Sequence, residues 1–395
     1  MKRLSITITL LTFFIFIPLS VDAAEKIEIY LKSNNAAEYV VDLAHPEKGK
    51  VKLPLGSADI RAVAQAGHFV IGVTRPEYPN RSPLIFRFDL TKEVITDFQT
   101  FSAVQEKETV PAYALAAVGD STVYAGTFGS EGTTGNLLKI HSAGKSLKVE
   151  KMGQVADKQG IFTLLPALTG DKLYGILFPS NAFFVYDIKS RQAVLFHETE
   201  PDTTEAPQIE GLHQNKEAHL CKALGCDKTG KIYGTAGFGR LFCYDPQANK
   251  IEKLAVSLPY VQYHIMTNRV ESWALSDDGK LYGGTSVDGF LFSFDPTTKR
   301  LVNLGKPIMA GNIKSLVFQG NKIHGLAGAG NEYTHYFTYD PVQGGFEDLG
   351  LLRFNNPLIG ARQMTYTACQ ILPLKDGRFL FAEDDLLPSL IFYRP

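Results

Sequence analysis

The sequence predicts an all-β fold, a β-propeller built from four-stranded antiparallel blades. Residues 276–305 show the repeated unit, in which short apolar runs are separated by tight turns at Asp278-Gly279 and Asp295-Pro296. Each residue type favours such turns for its own reason. The aspartate side chain can bond to the nearby backbone, glycine adopts a positive φ, and the proline ring fixes φ. The 26 Phe, 17 Tyr and 35 Gly of the 395 residues suit strands joined by many turns. One such unit cannot bury its own apolar faces, so we expect it to be repeated.

The central two strands of this unit recur along the chain. There are eight matches: 26–30 with 38–42, 68–72 with 85–89, 123–127 with 137–140, 173–175 with 183–187, 232–235 with 241–246, 281–282 with 290–294, 323–325 with 336–341, and 379–381 with 390–393. Four short strands at a period of this size are typical of a propeller. The first unit lacks its first strand and the last unit lacks its fourth. We therefore favour seven blades in one domain, 24–395, closed by an N-terminal strand, and keep eight as the alternative.

The first residues have the pattern of a secretory signal peptide. Lys2 and Arg3 precede an apolar stretch at 4–19, and Val21 and Ala23 provide small residues for cleavage after Ala23 or Ala24. The stretch is shorter than the roughly 20 residues that cross a bilayer, although a retained anchor is the alternative. We expect a signal peptide at 1–23, a mature chain without a membrane span, and a periplasmic or extracellular location.

Charge and cysteine content narrow the classes of partner. The formal net charge is −1, so the basic surplus that drives nucleic-acid binding is missing. Cys221, Cys226, Cys243 and Cys369 form neither a CxxC pair nor a zinc-like spacing with histidine. We expect no nucleic-acid partner and buried free thiols.

Loop lengths place the function on one face of the ring. With the strands of a blade lettered A to D in chain order, the A–B and C–D turns are short. The long connections are of the B–C and D–A classes, which share a face: 75–83, 129–136, 197–216, 259–270, 328–334 and 351–364. Because long loops on a rigid scaffold commonly bind ligands, we predict the site at the mouth of the central channel on that face.

Polar residues of these loops suggest a chemistry. The candidate catalytic residues are His264, Tyr263, Arg269 and His219, and the candidate substrate-binding residues are Arg75, Tyr78, Arg81, His213, Tyr260, Asn331, Tyr333, His335 and Arg362. Arginine would neutralise the carboxylate of a uronic acid, and histidine or tyrosine would move the protons of a β-elimination. Each residue alone could equally be structural, packing between blades or pairing with a neighbouring acid.

Two further motifs predict no cofactor. The glycines at 325–330 precede a predicted strand, whereas a dinucleotide-binding loop precedes a helix. His213 and His219 have no third ligand at a recognisable spacing, so a metal ion stays open but is weakly indicated.

Two segments resemble repeats of exported bacterial β-propellers of the kelch-like and polysaccharide-lyase-like kind. They are GKIYGTAGFGRLFCYDP (230–246) and GKLYGGTSVDGFLFSFDP (279–296). The resemblance covers the repeats and implies the fold. It also implies that His, Tyr and Arg on one propeller face can serve a lyase, as in ulvan lyases, although no catalytic motif matches residue by residue. We expect an exported propeller that binds a carbohydrate, with cleavage of a uronate-containing polysaccharide as its enzymatic form. The alternative is a non-catalytic lectin-like or protein-binding scaffold of the cell envelope.

Overall fold

Seven four-stranded antiparallel sheets form a ring, a seven-bladed β-propeller. A computed structural model describes residues 37–42, 51, 53, 59–75, 82–101, 109–129, 134–200, 219–261, 264, 267–309, 311–328, 333–351, 353–356, 361–364, 367–384 and 389–395. For 37–42, 109, 353–356 and 361–364 it describes only the backbone. The predicted fold class and the preferred blade count are confirmed.

The first strand of the chain, β1 (Ala37–Asp42), belongs to the last blade. Blades 1 to 3 consist of β2 (Asp59–Ala66), β3 (Phe69–Arg75), β4 (Leu84–Asp89), β5 (Val94–Thr100), β6 (Thr109–Val118), β7 (Thr122–Gly129), β8 (Leu137–His141), β9 (Lys148–Gly153), β10 (Gly160–Pro166), β11 (Lys172–Phe178), β12 (Phe183–Asp187) and β13 (Gln192–Phe196). Blades 4 to 6 consist of β14 (Gly225–Cys226), β15 (Ile232–Ala236), β16 (Arg240–Asp245), β17 (Lys250–Ser257), β18 (Val270–Leu275), β19 (Leu281–Thr285), β20 (Leu291–Asp295), β21 (Arg300–Gly305), β22 (Asn312–Gln319), β23 (Lys322–Gly328), β24 (His335–Tyr339) and β25 (Phe346–Leu351).

A hairpin of β26 (Arg353–Asn356) and β27 (Ala361–Met364) precedes blade 7, which consists of β28 (Ala368–Pro373), β29 (Phe379–Glu383), β30 (Ser389–Tyr393) and β1. In this blade β1 is the outer strand, paired with β30 so that Val40 faces Ile391. In the repeat pattern, 38–42 was the third strand of the first of eight matched units. In the structure it is the fourth strand of blade 7. Its sequence partner at 26–30 lies outside the described residues.

A glycine opposite a phenylalanine recurs in the middle of five blades. A side chain on the glycine of strand B would collide with the ring on strand C; a Cβ on Gly283 would lie 2.1 Å from the Phe292 ring. The glycine-containing B strands and the phenylalanine-rich C strands therefore recur together in the sequence because they pack against each other. The pairs are Gly72–Phe86, Gly175–Phe184, Gly234–Phe242, Gly283–Phe292 and Gly325–Phe337.

The first strand of each blade lines the central axis, because A strands of neighbouring blades contact one another around the ring. Side chains also join neighbouring blades. The buried Arg87 of blade 1 donates to the carbonyl oxygens of Ser142, Gly144 and Lys145 in blade 2. Gln370 of blade 7 accepts a hydrogen bond from the Val63 N–H at 2.9 Å and donates to the Val63 carbonyl at 3.0 Å. These bonds tie the last blade to the first.

The strand bounds reproduce the uneven loop lengths. The A–B turn between β6 and β7 holds only three residues, 119–121, whereas the D–A connection from β13 to β14 runs from Phe196 to Gly225. The four cysteines are free thiols: Cys221 and Cys243 are buried, and Cys226 and Cys369 are partly buried. Among the described residues, no helix has the length and apolar character needed to cross a membrane.

Candidate functional site: the charged mouth of the central channel

The central channel is a cavity of about 630 Å³ on the ring axis. Residues of the A strands of six blades line it, together with Lys222, Ala223 and Leu224, which lie directly ahead of the short β14 of blade 4. Every blade therefore contributes to its wall. A ligand in this channel would contact the whole repeat array, so we build the candidate site here.

A backbone irregularity near the start of the A strand brings one residue of most blades to the channel wall. The antiparallel register skips one residue in blades 1, 3, 5, 6 and 7: Arg61, Phe162, Glu271, Lys314 and Cys369. Tyr113 of blade 2 lies in a longer irregularity between Pro111 and Leu115. A bulge leaves its extra residue unpaired and re-aims its side chain. Phe162 packs against Tyr113, and the other five residues line the channel.

The channel is charged at one end only. Its charged lining residues all lie near the start of an A strand or at the end of a B strand: Asp59, Arg61, Arg75, Lys222, Glu271, Lys314 and Asp384. These positions are on the face of the B–C and D–A loops. Toward the other face the A strands contribute apolar lining residues such as Leu115, Leu165, Leu275, Phe318 and Leu372. The loop-rich face therefore has a polar mouth above an apolar interior.

Tyr113 is the centre of a cluster of cations at this mouth. The Arg61 Cζ lies 3.7 Å from the centroid of the Tyr113 ring, and the Lys222 Nζ lies 4.6 Å from the same centroid. Phe162 packs edge-on against Tyr113 at 4.9 Å between centroids. The negative face of an aromatic ring attracts cations, and each contact contributes about 0.5–2 kcal/mol. The ring thus contacts one cation from blade 1 and one from blade 4.

Glu271 is the carboxylate of this cluster, with its side chain only 2% exposed. It forms an ion pair with Lys222 and accepts a hydrogen bond from the Arg269 Nε at 3.0 Å. Burial alone would raise the pKa of Glu271, but the charges and hydrogen bonds of Lys222 and Arg269 outweigh it and lower the pKa to about 2. Burial lowers the pKa of Lys222, against the charge of Glu271, and the positive charges of Arg269 and Arg61 lower this pKa further. Two cations, Lys222 and Arg269, therefore share one ionised carboxylate.

The remaining charges of the mouth are matched in pairs, except for Arg61. Arg75 donates to Asp59 from Nε at 3.1 Å, and Lys314 lies 3.9 Å from Asp384. Among the described residues Arg61 has no carboxylate partner, and its buried Nε has no hydrogen-bond acceptor. A buried donor without an acceptor is costly, and a carboxylate or phosphate oxygen would satisfy it. Arg61 is therefore the group best suited to receive an anion.

Of the predicted catalytic residues, Arg269 and His219 lie next to this cluster. The Arg269 Nη1 donates to the carbonyl of Leu220, the neighbour of His219, at 3.4 Å. His264 is not among the residues that line the channel. Its Nδ1 lies 2.6 Å from Asp288, a buried carboxylate that also accepts the Val261 N–H, and its side chain is 47% exposed. Tyr263 lies outside the described residues.

The predicted binding residues are similarly divided. Arg75 lines the channel mouth, whereas Tyr260 and Tyr333 are exposed and do not line it. His335 is the first residue of β24 and pairs with Asp348 at 2.9 Å. For Arg362 only the backbone course in β27 is described, and Tyr78, Arg81, His213 and Asn331 lie outside the described residues.

Sequence reasoning missed the channel residues because it searched the long loops. A signal was present nonetheless. Four blades carry an apolar–charged–small triplet at the start of the A strand: Ile60-Arg61-Ala62, Cys221-Lys222-Ala223, Val270-Glu271-Ser272 and Ile313-Lys314-Ser315. Because a charged residue is the middle member of this triplet in four blades, the pattern predicts a ring of charges around the channel. In the described part of the chain, no group of three or more histidine, cysteine or acidic side chains could hold a metal ion.

Comparisons with known proteins support the fold alone. No protein-family model matches the chain, and no curated protein matches it in sequence. A similar solved structure is the extracellular domain of a one-component system from B. thetaiotaomicron, with 16% identity and a TM-score of 0.57 over 91% of this chain and 40% of that one. Streptogramin B lyase matches with 10% identity and a TM-score of 0.59, over 90% of this chain and 97% of its own. The WD40 repeats of RRP9 match with 10% identity and a TM-score of 0.57 over 91% and 99%.

These similarities are below the level at which an activity could be transferred. This chain spans 40% of the length of the B. thetaiotaomicron domain, so most of that protein has no counterpart here. The structural neighbours carry different functions on one architecture, as is common for widespread folds. The class of protein that fold and site define is a seven-bladed β-propeller with a charged channel mouth.

Proposed function

We propose that the protein is an exported propeller that binds an acidic carbohydrate, a uronate-containing glycan, at the mouth of its central channel. The observation that carries this proposal is the excess of cations around Tyr113, with Arg61 lacking a carboxylate partner among the described residues. The signal-peptide pattern supports export. A structural neighbour from a bacterial extracellular domain is consistent with it.

The mouth offers the groups that an acidic sugar needs. A guanidinium can donate two parallel hydrogen bonds to a carboxylate, and the Arg61 Nε has no acceptor among the described residues. Lys222 adds a second positive charge over the same ring. Trp273 lines the channel and is partly buried, so the apolar face of a sugar could pack against its indole. The remaining sugar units would extend toward the long loops of the same face.

Equilibrium binding of charged and neutral glycans tests this proposal. The mature protein should bind glucuronate or galacturonate oligosaccharides and not neutral glucose oligosaccharides of equal length, as measured by titration calorimetry. Arg61→Gln should weaken binding at least tenfold, or about 1.4 kcal/mol. Arg191→Gln is the matched control, because Arg191 pairs with Glu150 on an outer strand. Equal binding of the neutral glycans, or equal affinity of the Arg61 variant, would refute the assignment.

A second candidate function, cleavage by β-elimination, is favoured by one observation. Asp288 holds the Nδ1 side of His264, which leaves Nε2 on a half-exposed ring as a base for proton abstraction. A structural neighbour is named as a lyase, which shows only that a propeller of similar shape has such an activity. None of the contacts described for His264 is with arginine or lysine, so elimination there would need a cation from elsewhere.

Absorbance of the unsaturated product, followed over a panel of uronate polysaccharides, tests the second candidate. If His264 is the base, His264→Ala abolishes turnover and His197→Ala does not. His197 is a fair control because it is likewise paired with a carboxylate, that of Glu200. Binding without product would leave a lectin-like role. Failure to bind any glycan would favour the protein-binding scaffold.

A further inference from the structure

We propose that Lys222 captures the carbonyl group of an acid bound at the channel mouth, by forming a reversible imine. The ligands would be small acids that also carry an aldehyde or ketone, such as 2-oxo acids or the open-chain form of a uronic acid. This inference rests on the proposed function, since Arg61 must first bind the carboxylate.

The geometry places an amine beside the anion site. Lys222 lines the channel with its side chain 20% exposed, and its Nζ lies over the ring that Arg61 also covers. Because both groups lie within 5 Å of the centre of one ring, the carbonyl of a small acid held by the Arg61 guanidinium would be within reach of this amine. Binding at one residue and reaction at its neighbour give the proximity that a bimolecular condensation otherwise lacks.

The surroundings of Lys222 are those of a reactive lysine. Proteins make a lysine nucleophilic by removing it from water and by placing other cations nearby. Lys222 is largely buried, and burial together with the charges of Arg269 and Arg61 lowers its pKa, against the charge and hydrogen bond of Glu271.

The step is a condensation without a redox change. The ammonium of Lys222 loses a proton to solvent, and the amine attacks the carbonyl carbon to give a carbinolamine. A proton from solvent then reaches the carbinolamine hydroxyl, which leaves as water, and the carbon–nitrogen double bond forms as a protonated imine. The protonated imine carries the positive charge of the former ammonium, so Glu271, which already contacts the Nζ, would continue to neutralise it.

Reductive trapping tests the proposal. The mature protein is incubated with glyoxylate and cyanoborohydride, and the modified lysines are identified by intact mass and peptide mapping. We expect one dominant adduct, on Lys222, forming faster as the pH rises from 7 to 9. Lys222→Arg should abolish it, and Lys299→Arg should not, because Lys299 is an exposed lysine paired with Glu252. Adducts spread over exposed lysines at equal levels in both variants would overturn the proposal.

A methyl glycoside of glucuronic acid separates this inference from the proposed function, because it has the carboxylate but cannot open to an aldehyde. It should bind to both the wild-type protein and Lys222→Arg, which keeps the positive charge. It should also protect Lys222 of the wild-type protein from glyoxylate, a measurement that does not depend on the variant folding. Binding of the glycoside without any trapping at Lys222 would refute the imine alone. Absence of binding would refute the acid site itself.

Discussion

The guanidinium of Arg61 lies 3.7 Å from the ring centroid of Tyr113, although the two residues belong to neighbouring blades. Both lie where the A strand departs from regular pairing near its start. Bulges of this kind re-aim side chains, and here they bring residues from distant parts of the chain to one charged mouth. The repeat builds the ring, and its local irregularities build the candidate site.

Replacing Glu271 by glutamine should lower stability and raise affinity for an acid. The change leaves Arg269 and Lys222 without their buried carboxylate, and breaking a buried ion pair costs about 3–5 kcal/mol. It also adds one net positive charge beside Arg61, so an acidic ligand should bind several-fold more tightly. Urea denaturation and calorimetric titration measure the two effects.

Glu252→Gln, at an exposed pair with Lys299, is the control and should change stability by less than about 1 kcal/mol. Weaker acid binding by a folded Glu271→Gln protein would contradict the electrostatic account.

Gly283→Ala should destabilise the fold, because its new methyl group would lie 2.1 Å from the Phe292 ring. Overpacking of this kind costs about 1–3 kcal/mol. The double variant with Phe292→Leu should recover part of the loss, since the smaller side chain removes the collision. Chemical denaturation of the single and double variants measures both. Unchanged stability of Gly283→Ala would mean that the ring is free to move aside.

Gln370→Ala should weaken the closure of the ring. It removes two hydrogen bonds, of 2.9 and 3.0 Å, that join blade 7 to Val63 of blade 1. We expect a loss of about 1–3 kcal/mol in the free energy of unfolding, because two backbone groups lose their partners. Gln343→Ala on an exposed turn is the control. Equal midpoints for the two variants would show that the bonds from Gln370 contribute little.

Stability should fall as the pH drops below about 6.5, the ordinary pKa of histidine, because of His324. Burial lowers the pKa of His324 in the folded protein. Its Nε2 donates to the Gln319 carbonyl at 3.2 Å, and its Nδ1 accepts from the Tyr336 hydroxyl at 2.6 Å, which fits the neutral ring. Because the unfolded chain binds the proton first, stability is full above the unfolded pKa and is lost as pH falls toward the folded pKa. Melting curves from pH 8 to pH 5 should show this loss, and it should be smaller in His324→Gln. An identical pH dependence in the variant would exclude His324 as the cause.

Much of the fold was predictable because its determinants are local in the sequence. The aspartate at the end of a C strand, such as Asp295, accepts the N–H of Thr297 in the turn that follows. The pair of Gly283 and Phe292 likewise recurs in five blades, at spacings of 8 to 14 residues. The first match was harder to interpret: 38–42 has the pattern of an inner-blade strand, but it lies at the edge of blade 7, paired with β30. Periodicity gives the number of strands, whereas ring closure decides where the terminal strand lies.

The candidate site was predictable only in part. The charged mouth lies on the face of the long loops, and Arg75, which lines it, and Arg269, which contacts Glu271, were among the residues chosen from the sequence. Arg61 and Lys222 were not chosen, because a charged residue in a predicted inner strand is easily read as a surface position. Whether such a residue faces the axis depends on a one-residue change of register, and pairing register is a non-local property.

The most direct test of the central claim is a crystal structure of the mature protein with the methyl glycoside of glucuronic acid bound. We expect the carboxylate of the ligand within hydrogen-bonding distance of the Arg61 guanidinium, with the sugar on the side of the B–C and D–A loops. A ligand bound on the opposite face, or bound through its hydroxyl groups with Arg61 uninvolved, would contradict the account.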